Sequence, residues 1–98
     1  MEDFNEEKIP HSLSAEQAVL AGVMAEAEYW DEISDYLHEN DLFSLPHRII
    51  YKAVKSLYSN NKPCDMILVS EWLKSNGLLE KAGGVEYLGR ILMDCPAT

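Results

Sequence analysis

Basic residues are scarce in this 98-residue chain: eight Lys and Arg stand against seventeen Asp and Glu, a formal charge of -9. A field of that sign repels phosphate and favours basic partners, which argues against nucleic acid as the ligand of these residues alone. Cysteine is nearly absent as well. Cys64 and Cys95 are far apart, each beside a proline, and neither belongs to the C-x-x-C pair that holds zinc or exchanges disulfides, so both read as structural thiols. No apolar run approaches the ~20 residues of a membrane span. The opening "MEDFNEEK" is acidic where a secretory signal would be basic and then apolar, and a cytoplasmic location is the expectation. Clean strand alternation is missing too. "MILVS" has the β-branched content of a short buried strand, but it would have no ladder partner, which favours a helix there.

What is present is helical periodicity, with 47% hydrophobic residues, enough for one small core in a domain of this length. Residues 1–12 are polar and acidic and read as a flexible arm, and 13–98 as the folded head. In "LSAEQAVLAGVMAEA" Ser14 is the expected N-cap, with Gln17 at the capping-box position and Leu13 stapling against Ala18. Val19, Leu20, Val23, Met24 and Ala27 then form the apolar face. A second helix carries Trp30, Ile33, Tyr36 and Leu37, up to Asn40. A third starts at Ser44 with Pro46 in its tolerant first turn. Ile49, Ile50, Ala53, Val54 and Leu57 line it, and Asn60 and Asn61 end it. A fourth has Asp65 as cap, Val69, Trp72 and Leu73 as its stripe, and Gly77 as the left-handed stop. "LLEKAGG" is a short turn, and Val85, Leu88, Ile91 and Leu92 make the last amphipathic helix, stopped by Pro96. The expected fold is all-α, a compact orthogonal bundle of about five to six short helices.

The chemistry-bearing candidates are few. Gly83-Gly84 invites comparison with a phosphate loop, but such a loop follows a strand and leads directly into Lys and Ser or Thr. Here a helical turn precedes the glycines and Val85-Glu86 follows, so the pair reads as a corner between helices. Asp31, Glu32, Asp35, Glu39 and Asp41 lack the glycine and closing Glu of a calcium loop and read as a solvated helix face. His11, His38 and His47 are too scattered in sequence to propose a metal site. Arg48 is expected to pair with a nearby carboxylate. No nucleophile has a base at a diagnostic spacing. Among the aromatics Tyr87, at the edge of the Leu88-Ile91-Leu92 stripe, is the candidate for a partner-binding ring, with Glu86 and Arg90 as polar neighbours. Packing within the domain is the competing reading for Tyr87.

"IPHSLSAEQAVLAGVM", "HRIIYKAVKSLY", "PCDMILVSEWL" and "GLLEKAGGVEYLGRILMDCPAT" stand in the order and spacing of a known family. From Ile9 to Thr98 the chain resembles the N-terminal domain of bacterial replicative DNA helicases of the DnaB type. That resemblance implies a helical head in the collar above a hexameric ATPase ring, with primase and a helicase loader as partners. It implies no catalytic, cofactor or metal residues here, since the family's ATP, magnesium and DNA sites lie in its C-terminal motor. The family's head also continues into a pairing hairpin past "CPAT", so Thr98 reads as a boundary within a longer protein, and the head alone as a monomer or weak dimer. The chain departs from the family pattern in two places: Leu42-Phe43 stands where many members have an aromatic pair, and Leu68 where they have a Thr, which leaves more of the capping to Asp65. The competing reading is the helicase-interacting C-terminal domain of a primase, a similar helical architecture.

Overall fold

The structure, a computed structural model, describes residues 12–94. The expected arm therefore lies outside the described residues except for Ser12, as do His11, Cys95 and Pro96. Five α-helices and one 3-10 turn follow one another: α1 (Leu13–Ala25), α2 (Ala27–Ile33), the turn Glu39–Asp41, α3 (Leu45–Ser59), α4 (Met66–Ser75) and α5 (Gly84–Asp94). The fold is all-α, as the periodicity requires, and no strand occurs among the described residues.

α1 begins earlier than the capping pattern suggests. Ser12 is the N-cap and its Oγ accepts from the Ala15 amide, so Ser14 lies inside the first turn. Leu13 is the first residue of the helix and not the one before its cap, as the expected staple requires, and both it and Ala18 are exposed. Gln17 reaches across to the Tyr87 hydroxyl. Leu20, Val23 and Met24 are buried as their spacing demands, but Ala27 is exposed because Glu26 adopts an extended backbone and breaks the helix before it. α2 is short: it ends at Ile33, and Tyr36, which the helical period would have placed on the apolar face, is 81% exposed.

α3 is the central element. Ile49, Ile50, Ala53, Val54 and Leu57 are all buried along one face, together with Tyr51, whose hydroxyl donates to the Leu37 carbonyl. Pro46 sits in the first turn, and Asn61, with φ 60°, helps turn the chain toward α4. On α4 Asp65 accepts from the Leu68 amide at 2.8 Å, the expected N-cap. Val69 and Leu73 are fully buried, and Gly77 takes its left-handed conformation at φ 66°. α5 buries Leu88 and Ile91 completely, while Val85 lies outside the stripe and is exposed. α5 packs on α1 and α4, and α3 on α1 and α4, so the core is shared by four helices. Cys64 is buried and its Sγ donates weakly to the Val54 carbonyl at 3.6 Å. Burial pushes its thiol pKa up to about 11, consistent with an unreactive structural role.

Candidate functional site

The polar interior of this head centres on Glu16 and His47, the two buried polar residues of the core at 5% and 0% exposure. Glu16 arrives on α1 in register with Leu20 and Val23. His47 arrives on α3 in register with Ile50, Tyr51 and Val54. Both positions are dictated by helical period: a residue one turn from a buried apolar residue is carried inward with it.

The Glu16 carboxylate accepts from the Phe43 amide at 2.6 Å, the Ser44 amide at 3.2 Å and His47 Nδ1 at 2.8 Å. The first two amides precede α3, whose N-cap Ser44 makes no side-chain cap bond of its own. α1 therefore caps α3 across the fold. Burial by itself raises the Glu16 pKa. The amides of Phe43 and Ser44 and the His47 ring outweigh that and hold it below its ordinary 4.5.

With Glu16 ionised, His47 Nδ1 must be the donor to it, which leaves Nε2 as the acceptor in the neutral ring. The Tyr87 hydroxyl lies 2.6 Å from Nε2, to which it donates when the ring is neutral, and its oxygen accepts from Gln17 Nε2 at 3.0 Å. The His47 and Tyr87 rings stack at 5.7 Å with 8° between their planes. A single directed chain of hydrogen bonds, Gln17 to Tyr87 to His47 to Glu16, thus joins α1, α3 and α5.

A carboxylate, an imidazole and a hydroxyl in this order also describe a nucleophile relay. Its surroundings do not suit that chemistry. His47 is fully enclosed, the Tyr87 oxygen is already shared between two partners, and none of the three lines the cleft at Trp30 or the one at Lys74. What the cluster can do is hold three helices in one arrangement.

The corner before α5 sets the position of Tyr87. Gly83 and Gly84 have φ 103° and 82°, and their amides donate to the carbonyls of Glu80 and Leu79 at 3.0 and 2.9 Å. Those amides are occupied within the turn and do not converge on an anion, so the glycines form no phosphate cradle. A Cβ on Gly83 would come within 2.7 Å of Tyr87 Cβ, so the missing side chain makes room for the tyrosine.

Of the sequence-derived candidates, Tyr87 is half-buried with its hydroxyl turned to His47 and Gln17, while Glu86 and Arg90 are exposed on the outer side of α5. Arg48 meets no carboxylate among the described residues; its Nε donates to the Leu42 carbonyl at 2.6 Å and helps fix the α3 entry loop. Asp31, Glu32 and Asp35 are exposed, whereas Glu39 lies 3.7 Å from Lys52 and Asp41 caps the His38 amide. No group of three or more His, Cys, Asp or Glu able to hold a metal occurs among the described residues. Among these residues no helix is long and apolar enough to cross a membrane. Sequence patterning did not single out Glu16 and His47 as members of a site. The available signal was a polar residue standing in an apolar helical stripe.

Residues 8–98 match the family model for the DnaB-like helicase N terminal domain. The replicative DNA helicase DnaB of Buchnera aphidicola subsp. Baizongia pistaciae is 42% identical over 93% of this chain, which corresponds to 20% of that helicase. That of Pasteurella multocida is 39% identical over 90% of the chain and 19% of its own length. The chain therefore spans about a fifth of the curated relatives it matches. The crystal structure of the N-terminal domain of DnaB helicase from Mycobacterium tuberculosis superposes with a TM-score of 0.83 at 31% identity, over 89% of this chain and 60% of that one.

Proposed function

The chain belongs to the DnaB-like helicase N-terminal domain family, and we infer that it is the non-catalytic assembly and docking head of a hexameric replicative DNA helicase. The observation that carries this reading is the family match over residues 8–98 to a domain whose relatives are about five times longer. ATP and magnesium would act in the remainder of such a protein. The Gly83-Gly84 corner is no cradle for the ATP phosphates, since its amides are occupied and Glu86 stands in the first turn of α5.

In this reading the head forms part of an N-terminal collar of a cytoplasmic bacterial enzyme and meets primase and a helicase loader. Residues 13–98 constitute the head and the preceding residues an arm. The outer side of α5 supplies a docking edge: Glu86 and Arg90 face solvent, and the uncovered part of the Tyr87 ring lies beside them. The internal relay through Tyr87 supports this role by fixing the direction of α5. The alternative of a primase C-terminal domain gives way to the helicase, because the family match and the related proteins are helicases. The test is a full-length protein lacking residues 1–94. It should retain nucleotide hydrolysis and lose capture of the primase C-terminal domain, and undiminished capture would refute the docking role.

A further inference from the structure

On the side of the fold formed by α2 and the end of α3, an open cleft of about 380 Å³ is lined by Ala27, Trp30, Asp31, Tyr58, Asn61, Lys62 and Pro63. No residue of α5 contributes to it, and a role for this cleft is independent of the helicase reading. Its aromatic wall is rigid. Trp30 stacks on Tyr58 with ring centroids 5.5 Å apart and 22° between planes, and is backed by Tyr51 at 5.3 Å. The Tyr58 hydroxyl is fixed by donating to the Val23 carbonyl at 2.5 Å. The Trp72 indole donates to Ser56 Oγ, but the Trp30 indole N–H has no acceptor among the described residues. A half-buried tryptophan usually directs that donor to a partner.

An aromatic pair, a proline and an uncommitted indole donor form a surface suited to one backbone conformation. An extended polyproline II segment presents flat pyrrolidine rings to aromatic faces and solvated carbonyls to an N–H donor, and its preformed shape lowers the ordering cost of binding. Charge selects what flanks the proline. Asp31 lies in the lining, and Glu26, Glu28, Glu32 and Asp35 are exposed on and beside α2, with no ion pair formed by any of them among the described residues. Lys62 is the single cation among the described residues of the lining. The balance favours a positively charged neighbour.

We propose that the Trp30–Tyr58–Pro63 cleft is a docking site for an extended, proline-containing segment of a partner protein that carries Lys or Arg beside the proline. Trp30 donates its indole N–H to a segment carbonyl, Tyr58 and Pro63 pack against the proline ring, and Asp31 pairs with the basic residue.

The experiment uses this chain and a synthetic peptide of about ten residues, some three polyproline II turns, with prolines and flanking arginines. Amide and indole NMR signals are followed during titration. The expected result is a saturable shift of the Trp30 indole and of the Asn61 and Lys62 amides, with a dissociation constant on the order of 0.1–1 mM. Asp31→Asn should weaken binding about two- to five-fold, as for an exposed ion pair. Trp30→Phe, which keeps a ring in the stack, should weaken it about three- to ten-fold through loss of the donor. Replacing the prolines of the peptide by alanine should abolish the shifts. The proposal is overturned by no shift at about 5 mM peptide, by shifts confined to other faces, or by equal binding of the alanine peptide or of one with Glu in place of Arg. Asp31 is exposed and outside the core, so its variant keeps the test decisive if Trp30→Phe proves unstable.

Discussion

Replacing Glu16 by Gln removes one charge and keeps the side chain's shape, and it isolates the centre of the interior network. Three donors converge on the native carboxylate: the amides of Phe43 and Ser44 and the Nδ1–H of His47. A glutamine oxygen in the Oε1 place can serve His47 and the Ser44 amide, but its NH2 group then faces the Phe43 amide. One bond is lost outright, a buried N–H is left without an acceptor, and the surviving bonds lose their charge assistance. At ~1.5–3 kcal/mol for a hydrogen bond to a charged group and ~0.5–1.5 kcal/mol for a neutral one, the cost is about 2–4 kcal/mol. Small domains have only ~5–15 kcal/mol in total. With a urea slope of ~1–3 kcal/mol/M, the unfolding midpoint should fall by about 2 M. The effect also has a pH signature. Because the folded-state pKa of Glu16 is lowered, its stabilisation is complete above the unfolded carboxylate value of 4.5 and is lost as pH falls through the lower folded value. The gap between wild type and Glu16→Gln should therefore be full at pH 7 and shrink below pH 4.5. A loss under ~0.5 kcal/mol at pH 7, the range of an ordinary surface change, or a gap independent of acid, would refute the cross-fold cap.

Other consequences are equally direct. Gly83→Ala places a Cβ against Tyr87 at a φ of 103° and should cost about 1–3 kcal/mol or more, with faster amide hydrogen exchange along α5. Tyr87→Phe keeps the ring stack on His47 but strips the relay of its hydroxyl, and should lower stability by roughly 1–3 kcal/mol in a urea melt. ATP with magnesium should leave the melting temperature of the chain unchanged, and a reproducible rise at millimolar nucleotide would contradict the absence of a phosphate site. Single-stranded DNA should bind weakly or not at all at physiological salt, as read by fluorescence anisotropy, because the net charge is -9.

The helices of this head are legible because each carries its own stripe and stop. α3 and α4 follow their apolar period and end where Asn60, Asn61 and Gly77 indicate. Local competition blurred the rest. Ser12 and Ser14 are both able to cap, and the choice of Ser12 places Glu16 and Gln17 where they reach α3 and α5. Tyr36 fits a helical period that α2 does not live to complete, because the chain turns after Ile33. The network itself joins residues 31, 40 and 70 positions apart, a relation set by packing that no local pattern encodes. Its trace was a glutamate and a histidine riding in apolar stripes. The Gly83-Gly84 corner was readable from its neighbours, and the structure adds the reason for it, the space taken by Tyr87.

The docking role proposed for the outer side of α5 is open to calorimetric titration. The full-length helicase, as wild type and as the double variant Glu86→Ala with Arg90→Ala, is titrated with the primase C-terminal domain. Both side chains are exposed, so thermal stability should be unchanged. Affinity should fall by about 1–3 kcal/mol, roughly five- to 150-fold, with nucleotide hydrolysis retained. Equal affinity of wild type and variant at equal stability would contradict the docking role.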